Sequence, residues 1–431
     1  MMSMSGFVQY IFGTADKNGI GMGRVFSIGG FAFPLVALWN PRAVVPLVAL
    51  LSLWSVFNLV RAKQHLPLKK FDILSIISVS ALFGAVIISS IQAPDSNGAF
   101  ITSSKIFGNL IVAIGLIFAA SHLTDQETLN AAKSILIATC IVAVFFLTDI
   151  LSQGALSLFF TNMTYTPKYK FFWFKSASSS YAICAFIAAF YLVLRNKIWW
   201  ALALLGVSIL ITVEIGNRTA AGGLFLGVLV GGIYHLLGRW RKQVISTVII
   251  VIVASPLYLF ELGFSAERIS NFIHIRTSST LSVVYRMHTW EFVLNRIQEK
   301  PLLGWGVRGS KLFGGETSTI ISDPLMGQLG EAVPLHPHNG VLQVWLELGA
   351  FGAFALLMVF LRAIYVIDKR CTHTNTRIWT FGILTLLGCF FTFSYGVFSS
   401  AWIAILIFSF AMTTALSSIQ SNIATGHRGG S

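Results

Sequence analysis

The chain has 431 residues, of which 55% are hydrophobic and only 11% are charged. Ordinary soluble domains carry about 25% charged residues, so this composition cannot give a chain of this length a water-soluble surface. The formal net charge of +14 would indicate a nucleic-acid partner in a soluble protein. Here the distribution of charge matters more than its sum, and we expect no nucleic-acid partner. The composition predicts an all-α polytopic membrane protein.

Twelve apolar runs, each about long enough to cross a bilayer as a helix, follow one another along the chain. The first is short and precedes no small-residue cleavage site, so we interpret it as an anchor rather than a signal peptide. The four cysteines fall in apolar segments or beside a basic loop, which indicates no disulfide framework. The runs lie near 25–40, 42–60, 72–93, 103–122, 129–151, 178–194, 198–214, 220–237, 243–262, 344–368, 377–396 and 398–417.

The distribution of lysine and arginine predicts the orientation of the chain. With both termini in the cytoplasm, 17 of the 30 lie on the cytoplasmic side and 6 lie in the short loops opposite. We therefore expect nine spans within 1–262, a long and partly helical outer segment at 263–337, three more spans within 338–417, and a cytoplasmic tail at 418–431.

Two basic stretches lie on the predicted outer side. The loop 152–177 places Lys168, Lys170 and Lys175 among aromatic residues, and the segment 263–337 holds seven further lysines and arginines. One interpretation is a solvated surface with an aromatic belt at the headgroup level. The other is a cationic basin that binds an anionic lipid headgroup, in particular a diphosphate.

Residues 283–299 have helical periodicity, with one apolar face and one polar face. Arg286 falls within the apolar arc, on the same face as Trp290, so the helix is expected to lie against the membrane domain. A desolvated guanidinium requires an anionic partner. That partner could be a carboxylate from another segment or a bound phosphate, unless the side chain reaches solvent at the edge of the face.

Arg218 lies in a second outer turn, within 214–223, where one span ends and the next begins. A helix N-terminus rich in small residues favours anions. A local ion pair with Glu214 is the alternative.

The segment that opens the tenth span contains His336 and His338. A His-x-His pair can chelate a metal, but no carboxylate or cysteine cluster stands near it to complete a ligand shell. The two remaining interpretations are helix capping and a general base, since a neutral imidazole can take a proton near pH 7. Glu347 is turned about 180° from His338 on the expected helix, so it is poorly placed to orient that ring.

The run HPHNGVLQVWLELGAFG, at 336–352, resembles the signature of the bacterial O-antigen ligase and polymerase superfamily. The twelve predicted spans, the long segment before the motif and the upstream arginines agree with this resemblance. It covers most of the chain as topology and about 120 residues (218–352) as motif.

The resemblance implies an all-helical glycosyltransferase of the inner membrane whose active site faces the periplasm. Its donor would be a glycan on undecaprenyl diphosphate, its acceptor lipid A–core, and it would use no metal, nucleotide or other cofactor. By position, His338 corresponds to the catalytic base. The substrate-binding positions are Arg286, Arg218, His336, Asn339, Arg268 and Arg308.

The expected function is therefore an O-antigen ligase of lipopolysaccharide biosynthesis, which transfers O-polysaccharide in one inverting step. An O-antigen polymerase would use the same chemistry with a lipid-linked acceptor. A transporter or flippase of lipid-linked glycan would bind the same diphosphate but would need no general base.

Overall fold

The computed structural model describes residues 21–61, 72–161, 172–272, 278–314, 319–323, 327–333, 336–371 and 373–419. It is 84% helical. The described residues form fifteen α-helices, which are Met22–Trp39 (α1), Val44–Arg61 (α2), Ile73–Gln92 (α3), Ser96–Ala120 (α4), Asp125–Leu151 (α5), Ala155–Thr161 (α6), Phe172–Leu194 (α7), Ile198–Glu214 (α8), Arg218–Leu236 (α9), Arg241–Glu261 (α10), Ala266–Phe272 (α11), Ser278–Glu299 (α12), Gly340–Arg370 (α13), Thr374–Phe393 (α14) and Ser400–Ser418 (α15).

The apolar helices coincide with the twelve predicted runs. Within the described ranges, eleven helical segments are long and apolar enough to cross a membrane, and α8 is a shorter apolar helix of 17 residues. The protein is an all-α polytopic membrane protein, as the composition predicts. The largest difference at a boundary is in α4, which begins at Ser96 because the Asp95 carboxylate accepts a hydrogen bond from the Gly98 amide at 2.9 Å.

Helices α9 and α14 pack closely and run antiparallel. A Cβ added to Gly223 would contact Leu386, one on Gly227 would contact the Gly382 carbonyl, and one on Gly231 would contact Ile378. Small residues allow such close approach between membrane helices. The antiparallel pairing places the first residue of α9, Arg218, at the same end of the bundle as the last residue of α14, Phe393.

Helix α12 lies against the first turns of α13, as its periodicity predicts. Val293, Leu294 and Ile297 of α12 are buried in one apolar cluster with Val341 and Trp345 of α13. This packing brings α12, and Arg286 with it, beside the residues that open α13.

Helix α13 is broken at Gly349, a feature for which the sequence gives no sign. Gly349 has a φ of 64° and a ψ of −164°, a region that only glycine adopts readily. The break frees backbone groups, and the loop 301–306 binds them. Its amides donate to the Leu346 and Glu347 carbonyls at 2.8 and 3.1 Å, and its carbonyls accept from the amides of 350–351 at 2.8 and 3.2 Å. Irregular backbone in a membrane protein is tolerated when protein groups satisfy it in this way.

We expect Gly349→Ala to destabilise the protein. The backbone conformation alone costs an alanine on the order of 1–3 kcal/mol, and its Cβ would collide with the Leu302 backbone. Thermal unfolding in detergent measures the effect. Gly388→Ala is the control, because a Cβ there meets nothing within 4 Å. Equal stability of the two variants would contradict a required break at Gly349.

A short hairpin of strands Ile320–Asp323 (β1) and Gly327–Glu331 (β2) packs on the polar side of α12. Tyr285 donates to the Glu331 carbonyl at 2.6 Å, and Nε2 of His288 lies 2.9 Å from the Asp323 carboxylate. The sequence gives little sign of these strands, because they are short and lack the apolar alternation of a half-buried strand.

Candidate active site

The turn 336–339 leads into α13 and carries both histidines of the motif. His338 has a φ of 53°, a left-handed conformation that is uncommon outside glycine. The ring centroids of His336 and His338 lie 4.4 Å apart. Nε2 of His336 and Nδ1 of His338 each lie 3.3 Å from the backbone oxygen of Ser394. A single carbonyl therefore holds both rings.

The Ser394 carbonyl also determines which nitrogen of His338 is free. A carbonyl oxygen can only accept, so Nδ1 of the neutral ring carries the proton and donates. Nε2 then has the available lone pair. We infer that Nε2 is the atom able to take a proton from a bound molecule.

Both imidazoles are neutral at pH 7. Burial, together with electrostatic interactions with His336, Arg286 and Lys175, lowers the pKa of His338 to about 4. Burial likewise lowers the pKa of His336. A neutral imidazole keeps a lone pair that can accept a proton, so either ring is in the state that a base requires.

Two side chains hold the turn 336–339 in place. The Asn339 side-chain oxygen caps α13 by accepting from the amides of Val341 and Leu342 at 3.0 and 3.1 Å. Nε1 of Trp290, on α12, donates to the Pro337 carbonyl at 3.0 Å. Helix capping is thus the observed role of the Asn339 oxygen, and only the amide nitrogen of this predicted substrate-binding residue remains to face a ligand.

Arg286 is half-buried beside the histidines. Its Nη1 donates to the Phe393 carbonyl at 3.1 Å, and burial lowers its pKa. No carboxylate in the described part of the chain lies within 4.0 Å of its guanidinium. A carbonyl dipole only partly offsets the cost of desolvating this cation. Its position therefore favours the bound-anion interpretation.

Arg218 is exposed at the first position of α9, beside the N-terminal part of α7. Nδ2 of Asn217 donates to the Lys175 carbonyl at 3.1 Å and to the Ser178 and Ser179 hydroxyls at 2.9 Å. The structure gives Arg218 no ion pair with Glu214 among the residues it describes, because Glu214 ends α8 whereas Arg218 begins α9. The local ion-pair alternative is therefore wrong.

Lys175 lies between the Arg218 turn and the histidine turn. Its carbonyl accepts from Asn217, and the next carbonyl, that of Ser176, accepts from the Tyr395 hydroxyl at 3.4 Å. The charges of Arg286 and Arg218 both act on its ammonium group. Lys175 was predicted only as part of a basin. Lys168 and Lys170, the other two lysines of that basin, lie outside the described residues.

Two of the predicted substrate-binding arginines make their contacts elsewhere. Arg308 pairs with the Asp95 carboxylate at 2.9 Å, and its amide donates to Glu347 at 2.7 Å. Arg268 is exposed on α11, where its amide lies 3.4 Å from the Ser265 hydroxyl. No hydrogen bond or ion pair of the described residues links either guanidinium to the histidine turn, and their roles in binding stay predictions.

No described residues form a group of three or more histidine, cysteine, aspartate or glutamate side chains that could hold a metal ion. Independence from a divalent metal stays a prediction. Glu347 accepts from Ser310, from Gln343 and from the Arg308 amide, rather than from His338. This agrees with the expectation that it does not orient that ring.

The most important contacts that sequence reasoning missed are backbone carbonyls. Phe393 and Ser394 use their carbonyl oxygens to hold Arg286 and the two histidines. Any residue type supplies such an atom, so no sequence signal could have indicated them. Lys175 was predicted only as one member of a basic loop, although its place at the start of an apolar run distinguishes it from the other two lysines.

The structure is an all-α membrane bundle in which two neutral histidines lie next to a group of cations. It therefore has the features of membrane proteins that can hold an anionic group beside a base. Residues 216–357 match the family model described as O-antigen ligase. Over this part of its length the chain is similar to the O-antigen ligase family. Arg286, the histidines and Arg218 all fall within the matched residues.

Relatives from two bacteria carry a related description. The chain is 25% identical over 311 residues to a "putative polysaccharide ligase" of Rickettsia conorii, covering 70% of this chain and 71% of that protein. It is 26% identical over 340 residues to a protein of the same description from Rickettsia prowazekii, covering 77% of this chain and 78% of that protein. These matches extend well beyond the motif into the membrane helices.

Proposed function

We propose that this protein is an O-antigen ligase of lipopolysaccharide biosynthesis. It transfers O-polysaccharide from undecaprenyl diphosphate to a hydroxyl of lipid A–core, without a metal or other cofactor. Similarity to the ligase family supports an enzyme of the glycosyltransferase type with a lipid-linked glycan donor and a membrane acceptor, in general terms.

One observation supports this reaction in particular. The free Nε2 of a neutral His338 lies in a cluster with Arg286, a half-buried cation whose described partner is a carbonyl. A base and an anion-binding cation are the two groups that displacement of a diphosphate requires. A transporter of lipid-linked glycan would need the cation alone.

The transfer is one displacement. The acceptor hydroxyl gives its proton to Nε2 of His338 while its oxygen bonds to the anomeric carbon. The bond from that carbon to the diphosphate oxygen breaks, and the electron pair leaves with undecaprenyl diphosphate. Arg286 and Arg218 stabilise the charge that builds on the leaving oxygen. Attack opposite the leaving group inverts the anomeric centre.

In this proposal the enzyme lies in the bacterial inner membrane and the site faces the periplasm. Nine spans fall within 1–262 and three within 338–417, so that 263–337 is periplasmic and 418–431 is a cytoplasmic tail. The excess of lysine and arginine on the opposite side supports this orientation. Reporter fusions at Gly314 and Ser431 are expected to give opposite phenotypes, and matching phenotypes would refute the orientation.

The experiment that tests the function is transfer in vitro with purified protein, lipid-linked donor and lipid A–core, followed on a gel. The expected result is a ladder of slower lipid A–core bands that persists in excess chelator. Longer donor chains without lipid A–core products would instead indicate the polymerase. Transfer that fails in chelator and recovers with added Mg²⁺ or Mn²⁺ would refute metal independence.

The lowered pKa of His338 predicts an unusual pH dependence. His338 must be neutral to act, and its pKa in the free protein is about 4. As the pH decreases, kcat/KM for the donor should therefore stay constant until about pH 5 and fall only below that value. Bound diphosphate would offset the nearby cations and raise this pKa, so the acidic limb of kcat should lie at higher pH. A kcat/KM limb near 6.5, the ordinary histidine value, would contradict the assignment.

A further inference from the structure

The turn 393–397, between α14 and α15, contacts both the cation and the histidines of the candidate site. Its Phe393 carbonyl accepts from Arg286 at 3.1 Å, and its Ser394 carbonyl lies 3.3 Å from a nitrogen of each histidine. The direction of these two carbonyls therefore sets the position of the cation and of the base together.

Gln343 holds the far side of this turn. Its side-chain oxygen accepts from the Val397 amide at 2.9 Å. A Cβ added to Gly396 would lie 3.2 Å from Cγ of His336 and 3.5 Å from that same Gln343 oxygen. The turn is thus packed directly between the histidine ring and the amide of Gln343, which is only 6% exposed.

Glu347 fixes the orientation of the Gln343 amide. Nε2 of Gln343 donates to the Glu347 carboxylate at 3.0 Å. Glu347 also accepts from the Ser310 hydroxyl and from the Arg308 amide at 2.7 Å. Because a carboxylate surrounded by donors acts as an acceptor, the Gln343 nitrogen must face Glu347 and its oxygen must face Val397.

We propose that Gln343 is a positioning residue, which holds the turn 393–397 so that its carbonyls align His338 and Arg286. Gln343 lies in the first turn of α13, and His338 lies in the turn 336–339 that leads into this helix. The histidine and the turn that orients it are therefore both anchored at the start of one helix. This inference rests on the proposed function and adds a residue with no direct contact to the reacting groups.

The test replaces the acceptor for Val397 and then restores it. Gln343→Met keeps the length and removes the acceptor. A displacement of about 1 Å in a reacting group can cost about 100-fold, so we expect kcat to fall by roughly 10- to 100-fold with little change in KM for the donor. The exchange Gln343→Glu with Glu347→Gln restores an acceptor for the Val397 amide at position 343. It also keeps a hydrogen bond between positions 343 and 347, because the new amide at 347 can donate to the new carboxylate at 343. This exchange should recover most of kcat.

Ser52→Ala is the matched control for stability. It removes a buried hydrogen bond to the Val112 carbonyl between α2 and α4, at 2.9 Å, away from the histidine turn. Its transfer rate should stay normal while its thermal stability falls about as much as that of Gln343→Met. A normal kcat in Gln343→Met, or no recovery in the exchanged pair, would overturn the proposal.

A second measurement needs no transfer and so separates this inference from the proposed function. The rate at which diethyl pyrocarbonate modifies His336 and His338, read by mass spectrometry, should rise in Gln343→Met and return toward normal in the exchanged pair. Equal rates in all variants would overturn the positioning role even if transfer is robust. Altered rates would support it even if the native protein transfers no glycan, in which case the proposed function alone has failed.

Discussion

His338→Ala is expected to lower the rate of glycan transfer by about 10²- to 10⁴-fold, the usual contribution of a general base. The variant should still insert and bind donor, because the cations that would hold the diphosphate remain. The physical basis is the free Nε2 of a ring whose Nδ1 faces the Ser394 carbonyl. The measurement is the transfer rate of purified protein at saturating donor.

His122→Ala is the matched control for this prediction. Nδ1 of His122 also lies near a backbone carbonyl, that of Phe118 at 3.0 Å, but at the end of α4. It should transfer glycan at the normal rate. Near-normal transfer by a well-inserted His338→Ala protein would show that His338 is not the base.

Both substitutions of Arg286 are expected to impair transfer. Loss of a charge-assisted hydrogen bond costs about 1.5–3 kcal/mol, or roughly 10- to 150-fold in rate if the contact tightens in the transition state. Arg286→Lys should rescue poorly, because lysine keeps the charge but lacks the planar fork that binds two phosphate oxygens. Stability of the donor-free protein should change little, since no described carboxylate pairs with this arginine.

Arg362 provides the contrasting control. It pairs with Asp72 and donates to the Ser75 hydroxyl at 3.2 Å, linking α13 to α3. Arg362→Ala should lower thermal stability and leave transfer by the folded protein normal. An unstable Arg286→Ala together with an active Arg286→Lys would assign Arg286 to the scaffold instead of the site.

The parts of the fold that could be predicted are those set by local periodicity. The apolar runs mark the membrane helices because each must bury or expose its residues along a helical repeat. The same reasoning placed Arg286 and Trp290 on the buried face of α12, and the structure confirms that face through the Trp290 bond to Pro337. The start of α4 depends on the Asp95 cap, which a hydropathy pattern does not indicate.

The parts that could not be predicted depend on distant pairings. The break at Gly349 exists because loop 301–306 satisfies its backbone, and the two segments are separated by more than forty positions in the sequence. The alignment of His338 and Arg286 depends on carbonyls of the turn 393–397, which carry no side-chain signature. Arg308 was placed at the site by motif position, whereas its pairing with Asp95 requires tertiary structure.

The central claim is that neutral His338 promotes a direct displacement of the diphosphate, with no covalent glycosyl intermediate on the protein. The anomeric configuration of the newly formed linkage, measured by NMR on the product and compared with that of the donor, tests it most directly. A single displacement predicts the opposite configuration in the product. Retention of the donor's configuration would contradict the claim.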